Sequence, residues 1–154
     1  MVKNGFYIIK DIFFEYVNDP YLKDNKDGNR PFYYCIEEEV DNKKLYWMIP
    51  LSSRIEKYRR IIETKETLNK PTDGLYICTL PNGKESVFLI QDMFPITEKY
   101  IQREYTLGGN HLVLVRENDI NKILTKAKKV KNLIKRGIKL TPTSPDINHI
   151  LDLL

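Results

Sequence analysis

The chain has 154 residues, of which 42% are hydrophobic and 30% charged, a balance typical of a globular domain and not of a disordered segment. No apolar run approaches the length of a membrane span, and the first residues lack the apolar core and cleavage site of a secretory signal. We therefore expect one soluble, cytoplasmic domain over residues 1–154 that folds without disulfides or metals. Cys35 and Cys78 fall in apolar runs and are expected to be reduced packing residues.

Local patterns in the first third of the chain predict two strands that form the centre of the core. Both contain apolar residues at alternate and intervening positions, so we expect them to be covered on both faces. The predicted elements are a strand at 5–10, a short helix at 11–17, a polar loop at 18–29, and strands at 32–40 and 45–51 joined by a hairpin at 41–44.

Residues 46–60 are the expected active centre, because an apolar strand there ends at Pro50 and two hydroxyls and four cations follow at once. Ser53 and Glu56 fit a capping box that opens a helix ending near Thr67. Lys57, four residues after Ser53, would then lie on the same helical face. The hydroxyls are Ser52 and Ser53, and the cations are Arg54, Lys57, Arg59 and Arg60.

The second half begins with another hairpin, predicted from the Asn82-Gly83 pair, whose positive φ angles suit a tight turn. A strand is expected at 101–105. Residues 118–136 have the clearest helical pattern, with Asn118 as the cap and Gly137 closing the helix. A short segment from Asp146 is expected to pack at the end of the domain. These elements predict an α+β fold.

The charge is concentrated, since residues 120–145 contain eight Lys or Arg and no acid, which leaves 17 cations against 21 acids elsewhere. Such a face favours a polyanionic partner, with nucleic acid as the leading class, although a solvated helix surface explains the charge alone equally well. There is no local cluster of metal ligands and no glycine-rich phosphate loop. His111 is expected to be a surface loop residue.

Hydroxyls, exposed helix amides and an ammonium group at residues 52–57 would suit a phosphate group. On RNA, such a site could support cleavage by the substrate's own 2′-hydroxyl without a metal or other cofactor. The simpler alternative is that Ser53 only caps a helix and Lys57 is only solvated.

Several short motifs spread over nearly the whole chain resemble the toxins of type III toxin–antitoxin systems, including the AbiQ group of phage abortive-infection proteins. The most specific is Pro50-Leu51-Ser52-Ser53 directly after a strand. The others are Phe6-Tyr7-Ile8-Ile9, Asn29-Arg30-Pro31-Phe32-Tyr33, Met93-Phe94-Pro95-Ile96 and the Lys-rich helix near the end.

The resemblance implies a compact, strongly bent antiparallel β core, similar to the Kid/MazF fold, with flanking helices that include a long basic helix near the C-terminus. It also implies a metal-independent endoribonuclease that leaves a 2′,3′-cyclic phosphate. The partner would be a repeat-derived pseudoknot RNA antitoxin in a closed toxin–RNA assembly, with a function in phage defence and no role for DNA or a membrane.

The resemblance carries Ser52 and Ser53 over as phosphate-binding catalytic residues. Family members often have Pro-Lys directly after this pair, where this chain has Arg54-Ile55, so we expect Lys57 to supply the lysine and Arg54 to hold the phosphate. RNA would contact aromatic and basic side chains. The expected RNA-binding residues are Tyr21, Arg30, Tyr33, Arg59, Arg60, Lys128, Lys129, Lys131, Lys135 and Arg136.

Three other functions remain open from the sequence. A non-catalytic RNA-binding module would use the same hydroxyls and lysine only to hold phosphate, and a protein-interaction domain would show little salt dependence. A metal-dependent nuclease fits least, because the carboxylates are scattered.

Overall fold

The computed structural model describes residues 1–154, which form nine strands and four α-helices. Short 3-10 turns lie at Ile90–Asp92 and Glu98–Tyr100. The elements in chain order are β1 (Phe6–Ile9), α1 (Asp11–Val17), β2 (Phe32–Val40), β3 (Lys43–Ser52), α2 (Ile55–Thr67), β4 (Tyr76–Thr79), β5 (Glu85–Phe88), β6 (Phe94–Ile96), β7 (Ile101–Glu104), β8 (Thr106–Leu107), β9 (Asn110–His111), α3 (Glu117–Lys135) and α4 (Ile147–Leu153).

An antiparallel sheet of seven strands is the centre of the fold, with the order β4-β5-β3-β2-β1-β7 and with β6 added beside β3. The predicted α+β architecture with a long helix near the C-terminus is confirmed. The register of β2 against β3 shifts between Tyr34 and Ile36, where Cys35 forms an irregularity. Such a bulge bends a strand and increases its twist.

Strand β3 pairs with β2 along one edge and is shared between two partners along the other. Tyr46 and Met48 lie opposite β6, whereas Leu51 and Ser52 lie opposite Phe88 and Val87 of β5. The end of β3, where the two serines lie, is therefore held between β2 and the β4–β5 hairpin.

Two apolar clusters cover the sheet. The larger one contains Phe88 and most of the aromatic side chains, while a smaller one beneath α2 consists of Tyr58, Leu75, Val87 and Leu89. Val87 and Phe88 are neighbours on β5, so their side chains point to opposite faces of the sheet. Because each packs in a different cluster, this strand is covered on both faces. Strand β3 is likewise buried from Leu45 to Leu51, but β2 is buried only from Phe32 to Cys35.

The predicted helix α2 is confirmed at Ile55–Thr67, but the predicted capping box is wrong. Arg54 occupies the N-cap position, and no side chain accepts a hydrogen bond from the first turn. Helix α3 likewise begins with Arg116, not Asn118, in the N-cap position. The first residues of both helices were predicted from residue type alone. The observed N-caps lie one residue after the predicted cap in α2 and two residues before it in α3.

Other local predictions are confirmed. The β4–β5 hairpin forms around Asn82-Gly83, although only Gly83 has a positive φ, of 84°. Gly137, with a φ of 82°, follows the end of α3, and Asp146 caps α4 by accepting a hydrogen bond from the His149 backbone N–H. None of the helices is both long and apolar enough to cross a membrane.

Candidate active site

A groove of about 400 Å³ opens at the end of β3. Three segments enclose it: the loop that precedes β2, the β4–β5 hairpin, and the chain around the β8–β9 hairpin. Its apolar floor includes Leu51, Leu80 and Leu112. The polar side chains of its lining include hydroxyl, amide and cationic groups, namely Lys26, Asn29, Arg30, Ser52, Ser53, Asn82, Lys84 and Ser86.

The two serines that were predicted as a catalytic pair both line this groove, but their hydroxyls differ in what they already bind. Ser52 Oγ accepts a hydrogen bond of 3.2 Å from the backbone N–H of Arg54. This local bond turns the chain out of β3 and into α2. The Ser53 side chain is exposed and makes no hydrogen bond within the protein, so its hydroxyl is free for a ligand.

The predicted approach of Lys57 to these hydroxyls does not form. Lys57 does not line the groove, and its Nζ lies 5.1 Å from the centre of the Tyr58 ring. The prediction was wrong because it assumed that Ser53 begins the helix, whereas the chain between Ser53 and Ile55 makes a turn. Arg54 also lies outside the groove lining, and its contribution at this point is its backbone N–H.

Cations dominate the charge of the groove. Lys26, Lys84 and Arg30 line it together with one acid, Glu85. That acid is already engaged, because Arg59 Nη2 lies 3.0 Å from Glu85 Oε2. The pairing explains why Arg59, a predicted RNA-binding residue, is not free, and it leaves the groove with a positive potential.

Arg30 is the predicted RNA-binding cation that the fold places in the groove. Its Nη1 donates a hydrogen bond of 3.3 Å to the backbone carbonyl of Asp24. Burial lowers the pKa of the Arg30 guanidinium, partly offset by Asp24, Tyr58 and Asp92. A partly desolvated guanidinium at a groove wall is a strong donor for a phosphate, because less water has to be displaced from it.

Asp92 is a buried carboxyl on the same side of the molecule, with a side chain that is 4% exposed. Burial raises its pKa to about 6, although Lys23 and Arg30 act in the opposite direction. Burial also raises the pKa of Tyr58, and Asp92 adds to that effect. The local pattern of residues around 92 gave no sign of this group, whose environment depends on the packing of the 3-10 turn against β3 and α3.

Three of the six lysines of α3 form ion pairs within the protein. Lys131 forms an ion pair with Glu38 and lies 5.7 Å from the centre of the Trp47 ring, while Lys135 Nζ lies 3.2 Å from the same carboxylate. Lys129 Nζ is 3.8 Å from Asp73. Of the predicted α3 residues, Lys128 and Arg136 remain exposed without an ion pair.

The remaining predicted RNA-binding residues have different positions. Tyr33 is 1% exposed, packs against Phe6 and Phe88 and donates to Asn4, so the prediction that it stacks on RNA is wrong. Tyr21 is 44% exposed, but it does not line the groove. Arg60 is exposed on α2.

His111 is not the surface residue that was expected, since its side chain is only 14% exposed. Its ring nitrogens lie 2.9 Å from the Phe6 carbonyl and 3.0 Å from Glu104. A Cβ atom on Gly5 would approach the imidazole to 2.7 Å, so this position requires glycine. The histidine joins the β8–β9 hairpin to β1, which positions the wall of the groove around Tyr105.

The groove residues that sequence reasoning missed are mainly Lys26, Lys84 and Ser86. Lys84 and Ser86 belong to the β4–β5 hairpin, which was predicted. The missing information was that β5 pairs with the end of β3, a contact between residues more than 30 positions apart in the chain.

No family model matches the sequence, and no curated protein matches it. Among solved structures, the fold is similar to that of AbiQ, a lactococcal anti-phage endoribonuclease belonging to the type III toxin–antitoxin system. The similarity has a TM-score of 0.70 and covers 99% of this chain and 95% of that one, with 13% sequence identity. The resemblance found in the sequence is therefore confirmed as a similarity of fold.

Proposed function

We propose that the protein is a metal-independent endoribonuclease toxin of a type III toxin–antitoxin system. The observation that carries the proposal is the groove at the end of β3, where a free Ser53 hydroxyl lies among unpaired cations in a fold shared with an anti-phage endoribonuclease. The groove supplies the donors that an RNA phosphate needs, together with the Tyr105 side chain as a surface for an unpaired base.

In the proposed reaction, the 2′-hydroxyl oxygen of the nucleotide before the scissile bond attacks the phosphorus. The hydroxyl proton passes to solvent water, the bond from phosphorus to the 5′-oxygen breaks, and the leaving 5′-oxygen takes up a proton from water. The products are a 2′,3′-cyclic phosphate and a 5′-hydroxyl. The Ser53 hydroxyl and the groove cations bind the non-bridging oxygens, on which negative charge develops in the transition state.

We further propose that the groove, Lys128 on α3 and Arg136 just after it bind one repeat-derived antitoxin RNA in a closed toxin–RNA assembly. A folded RNA in the groove would block access of substrate to Ser53. The cells that carry the protein would use it against phage, as the AbiQ protein is described to act.

The direct test is cleavage of a single-stranded RNA by the purified protein in EDTA. We expect cleavage with a 2′,3′-cyclic phosphate end, and no cleavage when the 2′-hydroxyl at the cut site is replaced by hydrogen. RNA binding without cleavage would favour a binding module instead. In cells, expression should arrest growth, and tandem-repeat DNA from just upstream of the gene should restore it.

A further inference from the structure

The proposed ribonuclease needs a cation beside Ser53, and the fold does not supply it from the position that the sequence suggested. Lys57 lies on α2 with its ammonium group against the Tyr58 ring, and it is absent from the groove lining. If the groove cleaves RNA, a lysine on another element has to supply the cation beside Ser53. The β4–β5 hairpin carries such a residue.

The geometry of this hairpin directs Lys84 into the groove. Thr79 lies opposite Glu85 and Cys78 opposite Ser86, so Leu80 lies opposite Lys84, and the Leu80 N–H donates a bond of 2.8 Å to the Lys84 carbonyl. Side chains alternate along a strand, which places Lys84 on the same side as Ser86. Leu80, Lys84 and Ser86 all line the groove.

The backbone at Lys84 is held in place. Its N–H donates a bond of 3.1 Å to Asn82 Oδ1, and Gly83 makes the preceding turn with a φ of 84°. A residue fixed at the end of a paired strand positions its side chain more accurately than a residue in a long loop does. Lys26, the other lysine of the groove, lies in such a loop and itself has a positive φ of 46°.

The ammonium group of Lys84 has no carboxylate partner, and its nearest acid in sequence is occupied. Glu85 is bound by Arg59 at 3.0 Å, and Arg59 also lies 3.7 Å from Glu56. The ion pair therefore keeps Glu85 from neutralising Lys84. The Lys84 charge stays available to a ligand in the groove.

Ser86 adds another hydroxyl to the groove beside Lys84. It is 8% exposed, lines the groove, and its hydroxyl makes no hydrogen bond within the protein. The Ser86 oxygen itself stays accessible from the groove, so it is available to donate a hydrogen bond to a bound phosphate or sugar oxygen.

We propose that Lys84, together with the Ser53 and Ser86 hydroxyls, binds the scissile phosphate and stabilises its developing negative charge. The proposal rests on the proposed ribonuclease function and assigns to Lys84 the contribution that Lys57 was expected to make. The groove would then bind the phosphate between the end of β3 and the start of β5.

The test measures single-turnover cleavage of one RNA and binding of its uncleavable 2′-deoxy analogue, for the wild type and for Lys84→Ala, Lys84→Arg, Lys57→Ala and Lys70→Ala. Lys70 is an exposed lysine outside the groove and serves as the matched control. We expect Lys84→Ala to slow cleavage by about 100-fold while binding weakens by less than about 10-fold, and we expect Lys84→Arg to recover part of the rate.

Two results would overturn the assignment. If the wild type cleaves and Lys84→Ala stays within about 3-fold of the wild type, then Lys84 has no catalytic role; a large loss in Lys57→Ala would return the role to that residue. If the wild type does not cleave at all, the proposed function itself fails. The first result, in contrast, would leave the proposed function intact and remove only the role of Lys84. Circular dichroism of each variant separates these outcomes from misfolding.

Discussion

The groove and the outer face of α3 both carry clustered cations, but the fold treats their charges differently. On α3, Glu38 binds Lys131 and Lys135, and Asp73 lies beside Lys129. In the groove, Lys26 and Lys84 have no ion pair, and Arg59 occupies the one acid of the lining. On α3, two carboxylates therefore hold three of the lysines in ion pairs, whereas the lysines of the groove make no ion pair and keep their charge for a ligand.

The acids nearest to these two surfaces show the same contrast. Burial would raise the pKa of Glu38, but Lys131 and Lys135 together hold it below its usual range, so this carboxylate is ionised and paired. Burial raises the pKa of Asp92 to about 6, although Arg30 and Lys23 oppose it. Glu38 thus binds its cations directly, while Asp92 makes no ion pair and affects Arg30 only through its charge.

Replacing the groove serines singly should have the largest effect of the changes considered. Ser53→Ala removes a free hydroxyl and should lower the single-turnover cleavage rate by about 100-fold or more. Ser52→Ala removes the acceptor of the Arg54 N–H, which should cost about 1 kcal/mol of stability. It should lower the cleavage rate less than Ser53→Ala does. Cleavage assays and thermal unfolding of both variants would show this division; equal losses of rate would contradict it.

The difference between the two serines also shows what the sequence could and could not predict. The elements β1, α1, the β2–β3 hairpin and α2 were predicted within a few residues, because apolar spacing and turn residues are local signals. The hydroxyl pair was found from its position after a strand. Which hydroxyl is free depends on a turn geometry that the capping-box pattern misrepresented.

The rest of the site depends on pairings between distant segments. Lys84 and Ser86 reach the groove only because β5 pairs with the end of β3, and Tyr33 is buried only because β1 and β5 pack against it. The local sequence does not distinguish an aromatic residue that faces solvent from one that faces the core. The number of cations on α3 can be counted in the sequence, but the acids that pair with them lie on β2 and in the loop before β4.

The Asp92 carboxyl should make stability depend on pH. Its pKa is about 6 in the folded protein against a usual value of 3.8, so the folded state favours the protonated form. The free energy of unfolding should be highest below pH 4 as far as this group is concerned, and the contribution is lost as the pH rises through 6. Asp92→Asn should therefore stabilise the protein by about 3 kcal/mol at pH 7.

Urea unfolding of the wild type and of Asp92→Asn at several pH values would measure this difference. The gain from the substitution should shrink toward zero as the pH falls to about 3, because the wild-type carboxyl is then largely protonated in both the folded and the unfolded state. A gain that stays constant from pH 4 to pH 7 would mean that the substitution acts by packing and not by charge.

The salt dependence of RNA binding should separate the two surfaces. Arg30→Ala removes a groove cation and should weaken binding by about 10-fold, with the slope of log affinity against log salt reduced by about 0.7. Lys131→Ala removes a cation that already binds Glu38 and should change the slope little. Fluorescence anisotropy with the uncleavable RNA at several salt concentrations would measure both; a larger slope change in Lys131→Ala would show that α3 is the main RNA surface.

The smallest expected effect comes from releasing the α3 cations. Glu38→Gln removes the carboxylate that binds Lys131 and Lys135, so both ammonium groups should become available, and RNA affinity at low salt should rise by about 2- to 3-fold. The matched control is Glu37→Gln, which removes the same charge from the neighbouring position on β2 but releases only Lys44. If both variants gain the same RNA affinity, the gain comes from the change in net charge alone. A gain confined to Glu38→Gln would show that α3 lies close to bound RNA and that its ion pairs limit how tightly that RNA is held.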